Sequence, residues 1–300
     1  MKNFDRQQFR RLSLICAAAA LMVVLVTLLI VFFTRDKTPE EPQSSGPVIP
    51  EGMKLVEDIY NGQLIVPDFD VPANTYDHQG FSNGEDGFRR YEGAAVGIDV
   101  SEFQGDIDWY AVKAAGVEFA IIRLGYRGMT QGILQDDSKF QQNMTGTENA
   151  GVQRGVYFFS QAVTEAEAEA EADYVLEKLD GARLTYPVVF DWEDPVPSEE
   201  LPADSLRALD CPGGTVTKCA IAFCRRIQEG GYTPCVYFNK HQAYNFYDLE
   251  ALKDFDFWYA EYNPLPSVCY GFRTWQYSET GSVPGIDVTV DLDLCFEPYQ

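Results

Sequence analysis

The 300-residue sequence predicts an α/β fold: an irregular (β/α) barrel with an N-terminal transmembrane helix. Three observations predict it. A charge-free apolar run lies near the N-terminus, short apolar runs alternate with helical patterns from residue 94 onward, and the last two runs leave no room for helices between them. A doubly wound open sheet is the alternative layout. No G-x-G-x-x-G follows any of the runs, however, so the usual dinucleotide-binding reason for that fold is missing.

Residues 12–34 carry no charge. At about 1.5 Å per residue they would span roughly 34 Å, enough for a bilayer core of about 30 Å. A cleaved signal peptide is the alternative, but the small residues Ala17 to Ala20 stand at the start of the run and bulky Ile30–Phe33 at its end. We therefore expect an uncleaved anchor. Basic residues before it favour a cytoplasmic tail at 1–11, with the remainder outside the cell membrane.

Residues 35–93 are expected to form an extracytoplasmic linker or extension. Residues 36–52 are rich in Pro, Ser, Gly and acid, which is typical of a solvated spacer. Residues 55–66 could supply a strand or a short helix, and the order of 53–93 is left open. The pattern of a folded catalytic domain begins at residue 94 and continues to residue 300.

Strands and helices alternate in this domain. The predicted strands are β-branched or aromatic runs at 94–100, 117–125, 154–160, 186–192, 233–239, 255–262, 272–278 and 287–296. The predicted helices lie near 108–115, 138–150, 164–180, 213–230 and 241–253. The Glu-Ala run at 164–181 is assigned to a helix because its residues are strong helix formers, Thr164 and Glu167 fit a capping box, and Gly181 can end it. Its acids are expected to form a solvated face.

Composition excludes several classes of function. Asp and Glu number 46 against 23 Lys and Arg, so nucleic-acid binding, which needs a basic surface, is not expected. Only His78 and His241 are present, which argues against a multi-histidine metal site and a triad hydrolase. Neither a metal nor a cofactor is predicted. The six cysteines after residue 200 could form up to three disulfides outside a membrane or remain reduced and buried.

Acidic side chains recur where the predicted strands end, which is where a (β/α) barrel carries its chemistry. They are Asp99, Asp191, Glu193, Glu261, and Asp291 with Asp293 in the last strand. Asp191 and Glu193 are two residues apart and so point to one face, about 6.6 Å apart along a strand. Such a pair in a partly dry pocket holds one proton at neutral pH, as glycoside hydrolysis requires. Two solvated loop acids are the plainer alternative.

Together these motifs resemble the glycoside hydrolase family 25 lysozymes, N-acetylmuramidases of the Chalaropsis type. The segments that carry the resemblance are GIDVSEFQGDIDW (97–109), IIRLGYRG (121–128), GVYFFS (155–160), YPVVFDWE (186–193), FWYAEYN (257–263) and WQYSETGSVPGIDVTVDLDL (275–294). The resemblance covers about 94–296. It implies a barrel of five β/α units plus three further strands. It also implies hydrolysis of the β-1,4 bond between N-acetylmuramic acid and N-acetylglucosamine in peptidoglycan, by a catalytic domain expected to be monomeric.

The resemblance also implies roles for four acids. Glu193 matches the general acid, and Asp191 matches the acid that orients the substrate N-acetyl group. Asp99 and Asp291 match two further acids of the same pocket. Substrate assistance and inversion both remain open as mechanisms. VYFFS stands where many members have a histidine after VY, which bears on the shape of the sugar subsite.

Aromatic and polar side chains near the strand ends are candidates for sugar contacts, because rings stack on pyranose faces and hydroxyl groups bond sugar oxygens. They are Tyr126, Phe159, Tyr237, Tyr259, Glu261, Trp275 and Gln276. Trp192 points away from its acidic neighbours and is expected to pack in the core. Two other functions remain open from the sequence: a non-catalytic module that binds cell-wall glycan, and a glycosidase of chitin-like chains.

Overall fold

The computed structural model describes residues 47–300. The predicted tail (1–11) and membrane span (12–34) lie outside the described residues. Among residues 47–300, no helix has both the length and the apolar character needed to cross a bilayer. Residues 49–300 group into one unit.

The segment before the barrel, whose order the sequence left open, has regular structure. Strands β1 (Met53–Asp58) and β2 (Gly62–Pro67) form an antiparallel hairpin, and the short strands β3 (Ser82–Asn83) and β4 (Arg89–Arg90) pair with each other. The segment packs on the barrel: the Tyr76 ring stacks on Phe296 with centroids 3.8 Å apart, and its hydroxyl donates to the Phe272 carbonyl at 2.6 Å.

Eight strands close into a barrel, which confirms the predicted α/β barrel fold. They are β5 (Ala95–Val100), β6 (Phe119–Arg127), β8 (Gln153–Ser160), β9 (Val188–Trp192), β10 (Pro234–Asn239), β11 (Asp256–Ala260), β12 (Thr274–Gly281) and β13 (Val290–Cys295). The short β7 (Leu134–Asp136) pairs antiparallel with the end of β6. From β5 through β6 and β8 to β12, neighbouring strands are parallel. Strand β13 is antiparallel to both β12 and β5 and closes the barrel.

Helices cover the outer face between the parallel strands. They are α1 (Trp109–Ala114), α2 (Phe140–Ala150), α3 (Glu165–Leu179), α4 (Gly213–Glu229) and α5 (Lys240–Asn245). Four match the predicted helices, but the prediction of a helix through residue 253 is wrong. Helix α5 stops after Asn245, where the backbone of Phe246 leaves the helical conformation, and the chain continues as turns in which the Asp248 amide donates to the Thr217 hydroxyl of α4.

Strand alternation sorts side chains between the barrel interior and the surrounding helix layer. The interior holds a separate apolar cluster that includes Phe119, Val189 and Trp258. Gly97 faces this cluster, and a Cβ there would come within 2.2 Å of the Phe119 ring. The interior is therefore filled with side chains in its lower part, and polar residues of the same parity occupy the carboxyl ends of the strands.

Candidate active site

Four of the acids predicted from the strand ends line one cleft at the carboxyl end of the barrel. Asp99 lies on β5, Asp291 on β13 and Asp191 on β9, and Glu193 follows β9 directly. The cleft encloses about 230 Å³. Asp291 and Asp99 are direct partners in the antiparallel register of β13 and β5, so strand pairing alone places these two side by side.

Gln276 and two tyrosines hold Asp99 in place. The Gln276 side-chain amide donates to Asp99 Oδ2 at 2.7 Å. The hydroxyls of Tyr237 and Tyr262 donate to the Gln276 carbonyl oxygen at 3.1 and 2.9 Å. Gln276 and Tyr237, both predicted as substrate contacts, thus line the cleft and also orient an acid within it.

Asp191 and Glu193 share the cleft but differ in exposure. Asp191 is 6% exposed, and its Oδ1 has no hydrogen-bond partner among residues 47–300. Glu193 is open to solvent at the mouth. Desolvation raises the pKa of both carboxyls; the Glu193 charge adds to the effect on Asp191, and those of Asp291 and Asp194 add to the effect on Glu193. The pair can therefore keep a proton at a pH where an ordinary carboxyl has lost it.

Asp293 forms a second layer beneath these acids. It is fully buried and accepts a 2.9 Å hydrogen bond from the Trp258 indole nitrogen, and burial raises its pKa. Burial likewise raises the pKa of Asp99, and the charges of Asp291 and Asp293 raise it further. The pKa of Asp291 is raised to about 6, mainly by desolvation. Burial and mutual repulsion thus raise the pKa values of these neighbouring acids together.

An apolar cavity of about 410 Å³ adjoins the cleft and shares Phe103, Arg123 and Phe159 with it. The Arg123 guanidinium lies 4.9 Å from the Phe103 ring centre and 5.3 Å from that of Tyr126. A bulge in β6 after Arg123 shifts the strand alternation and brings Tyr126 opposite Phe159. The predicted contacts Tyr126 and Phe159 thus flank the acids, Tyr126 within the adjoining cavity.

The family model for glycosyl hydrolases family 25 matches residues 98–286, more than half of the chain. The chain belongs to this family. The matched region contains Asp99, Asp191 and Glu193 and ends just before Asp291.

Several known proteins are similar to this chain over about two thirds of its length. Lysozyme M1 of Streptomyces globisporus is 32% identical over 209 residues, which cover 65% of this chain and 65% of the relative. An autolytic lysozyme of Clostridium acetobutylicum is 29% identical and matches over 66% of this chain but 54% of its own length. The chain therefore spans between half and two thirds of these curated relatives. The solved bacterial lysozyme of Streptomyces coelicolor has 28% identity and a TM-score of 0.53, covering 66% of this chain and 90% of that one.

Three residues predicted as sugar contacts lie outside the cleft of this family 25 domain. Tyr259 and Trp275 are fully buried on the outer face of their strands, and Glu261 accepts hydrogen bonds from Tyr259 at 2.7 Å and from Ser267. The Trp275 indole donates to the Glu261 carbonyl at 2.9 Å. The prediction is corrected because these side chains have the opposite strand parity to Trp258 and Gln276, which face inward.

Several residues that line the cleft were not among those predicted from the sequence. They are Ser101, Phe103, Gln104, Arg123, Tyr157, Trp258 and Tyr262. Period-two alternation was the available signal for two of them, since Tyr157 precedes Phe159 by two residues and Arg123 shares the parity of the interior residue Phe119. The loop residues Phe103 and Tyr262 carried no comparable signal.

The remaining sequence predictions can also be placed. The Trp192 side chain is buried, and its ring stacks on Phe246. His241 lies exposed in α5, which Asn239 caps. All six cysteines among residues 47–300 are free thiols, so the disulfide alternative is not realised there. The expected solvated face of α3 is wrong at Glu171, which is fully buried and 2.6 Å from Arg127.

Proposed function

We propose that this protein is a peptidoglycan hydrolase that cleaves the β-1,4 bond between N-acetylmuramic acid and N-acetylglucosamine. The observation that carries the proposal is the convergence of Asp99, Asp191, Glu193 and Asp291 on one cleft of a family 25 barrel. The names of the relatives, lysozyme M1 and an autolytic lysozyme, support the same substrate class. Flanking aromatic rings at Tyr237 and Phe159 suit a carbohydrate ligand.

In this proposal Glu193 is the general acid. Its exposure at the mouth of the cleft lets it reach the glycosidic oxygen, and its raised pKa keeps it protonated before the bond breaks. The glycosidic C–O bond breaks as the proton passes to the leaving oxygen, and the sugar ring develops positive charge that nearby carboxylates stabilise. A water molecule then supplies the new oxygen on the anomeric carbon and releases a proton, which completes the hydrolysis.

In this proposal Asp191 binds and orients the N-acetyl group of the substrate. Asp191 lines the cleft and its Oδ1 has no hydrogen-bond partner among the described residues, so its carboxyl group has an unused capacity to accept a hydrogen bond from an acetamido N–H. Asp99 is fixed by Gln276 and lies beside Asp291, and the pair supplies negative potential on the opposite wall.

The test is Glu193→Gln, which keeps the size of the side chain but cannot supply a proton. We expect the release of muramic-acid reducing ends from purified peptidoglycan to fall at least about a hundredfold, the usual contribution of a general acid. Thermal unfolding should change little. Glu169→Gln, on the exposed face of α3, is the matched control. Wild-type turnover by Glu193→Gln would contradict the assignment.

The products also decide the substrate. Mass spectrometry should find N-acetylmuramic acid at the new reducing ends. N-acetylglucosamine at those ends, or equal digestion of chitin oligomers, would assign the protein to a different glycosidase specificity. Wall binding without any product would indicate a glycan-binding module.

We further propose that residues 12–34 anchor the protein and place the barrel outside the cell membrane, where peptidoglycan lies. The support is the charge-free apolar run and the basic residues before it. The full chain should fractionate with membranes and be digested by protease added to intact spheroplasts. A chain that starts at residue 35 should lose membrane association, and recovery of the full chain in the soluble fraction would refute the anchor.

A further inference from the structure

A second cavity adjoins the acid cleft on the side of Tyr262. It encloses about 680 Å³, a volume in the range of roughly 300–1,000 Å³ typical of small-molecule sites. We call it the outer groove. Its walls come from the segment before the barrel, from the loop after β11, and from the end of β12 with the connection that follows it; they include Asn83, Glu85, Tyr262, Asn263, Thr280 and Ser282.

Tyr262 connects the outer groove with the acid cleft, because it lines both. Its hydroxyl is held by Gln276, the residue that fixes Asp99, while 48% of the residue remains exposed. A ring fixed at its polar end and exposed along its body is suited to stack against a sugar ring. A polymer bound at the acids could therefore continue past Tyr262 into the outer groove.

The walls of the outer groove favour a neutral, hydroxyl-rich ligand. The Arg89 side chain already has partners within the protein. Its guanidinium donates to the Pro264 carbonyl and lies 5.7 Å from the centre of the Trp275 ring. Asp86 is paired with Arg90. Apart from the exposed carboxylate of Glu85, the remaining polar side chains of the groove carry hydroxyl or amide groups, which matches the hydrogen bonding of a saccharide better than that of an anionic ligand.

One wall of the outer groove is formed by the segment 82–90. This segment lies outside the part of the chain that the family model matches, because that match begins at residue 98. This segment is firmly seated. Phe88 is 1% exposed, and the Arg89 amide donates to the Tyr277 hydroxyl at 3.2 Å. The wall is therefore a fixed part of the structure and can contribute to binding without being ordered by the ligand.

We propose that the outer groove is a saccharide subsite, built in part by residues 82–90, that binds the glycan strand where it leaves the acid cleft past Tyr262. The inference rests on the proposed peptidoglycan substrate. It makes binding depend on glycan length, with longer strands gaining contacts that a short strand lacks.

The experiment measures binding and turnover separately. In a Glu193→Gln background, calorimetry compares a peptidoglycan tetrasaccharide with an octasaccharide. We expect the octasaccharide to bind at least about tenfold more tightly, equivalent to about 1.4 kcal/mol. Adding Ser282→Trp, which places an indole in the groove from an exposed position, should abolish that gain and leave tetrasaccharide affinity unchanged. Gln63→Trp, on exposed β2 outside the groove, is the matched control.

Equal affinity for the two oligosaccharides, or a length-dependent gain that survives Ser282→Trp, would overturn the inference. Loss of tetrasaccharide affinity in Ser282→Trp would also overturn it, because the effect would then lie in the acid cleft. Turnover by the wild-type enzyme tests the proposed function independently. If the wild-type enzyme is active but its binding does not depend on glycan length, the proposed function stands and the proposed subsite is wrong.

Discussion

At the scale of single residues, the acid cluster depends on the balance between burial and charge. Desolvation is the main reason why the pKa values of Asp99, Asp191 and Glu193 are raised, and each neighbouring carboxylate adds to the effect. Tertiary structure supplies both the burial and the neighbouring charges, because the acids that lie close together come from different strands. The acids, and a retained proton on the Asp191–Glu193 pair, could be predicted from positions at strand ends, but the burial and the neighbouring charges of Asp291 and Asp194 could not.

Asp194→Asn should shift the pH dependence of the enzyme. The Asp194 charge helps to raise the pKa of Glu193, so its removal lowers that pKa, and the general acid loses its proton at a lower pH. The alkaline limb of kcat/KM should move to lower pH, with little change on the plateau. Asp204→Asn, exposed in the same loop, is the control and should leave the profile in place. A shift to higher pH would contradict the electrostatic assignment.

At the scale of elements, helix α3 is held against the barrel by a buried ion pair that the pattern of its sequence does not indicate. Glu171 belongs to a regular Glu-Ala run, yet it is fully buried, receives a 2.6 Å hydrogen bond from Ser160 and pairs with Arg127 of β6. Burial raises the pKa of Glu171 to about 7. Helical periodicity identified the helix, but only packing against the barrel separates Glu171 from Glu169, because the two residues look equivalent in the run.

Glu171→Ala should reduce the free energy of unfolding by about 3 kcal/mol, because it leaves Arg127 buried without its acidic partner. Glu169→Ala, exposed on the same helix, should change it by less than about 0.5 kcal/mol. Urea denaturation of both variants at one pH measures the difference. Equal effects would show that the buried pair contributes nothing beyond an exposed acid.

At the scale of the whole molecule, the segment before the barrel is joined to it by a buried ion-pair network. Lys240 Nζ lies 2.8 Å from Asp58 of β1 and 3.0 Å from Glu261 beside β11. The side chain of Asp58 is fully buried, and although burial opposes its charge, hydrogen bonds from Lys240 and the backbone lower its pKa to about 2. Glu261, expected to contact sugar, thus connects the segment to the barrel.

Lys240→Ala should lower the free energy of unfolding by about 3 kcal/mol at neutral pH, since two buried carboxylates lose their cation. Asp58 is more acidic in the folded state than its ordinary 3.8, so its contribution is present above that pH and is lost as the pH falls toward 2. As the pH falls from 3.8 toward 2, the free energy of unfolding of Lys240→Ala should therefore decrease less than that of the wild-type protein. Lys253→Ala, which removes the exposed pair with Asp70, should cost less than about 1 kcal/mol. Denaturation from pH 2 to 7 tests both, and an unchanged acid slope in Lys240→Ala would refute the role of the network.

Local patterns in the sequence were enough to predict the strands of the barrel, four of its five helices and the four acids at the strand ends. These features depend on local patterns: apolar runs, capping residues, and carboxylates placed after buried segments. Tertiary structure decided which face of each strand points inward, because alternation groups side chains by parity but only the paired neighbours orient a strand. For that reason Gln276 lies in the cleft, while Tyr259, Glu261 and Trp275 do not. It also decided the packing of residues 53–93, whose contacts are with residues about 180 to 200 positions away, such as Tyr76 with Phe272 and Asp58 with Lys240. No local pattern encodes partners at that distance.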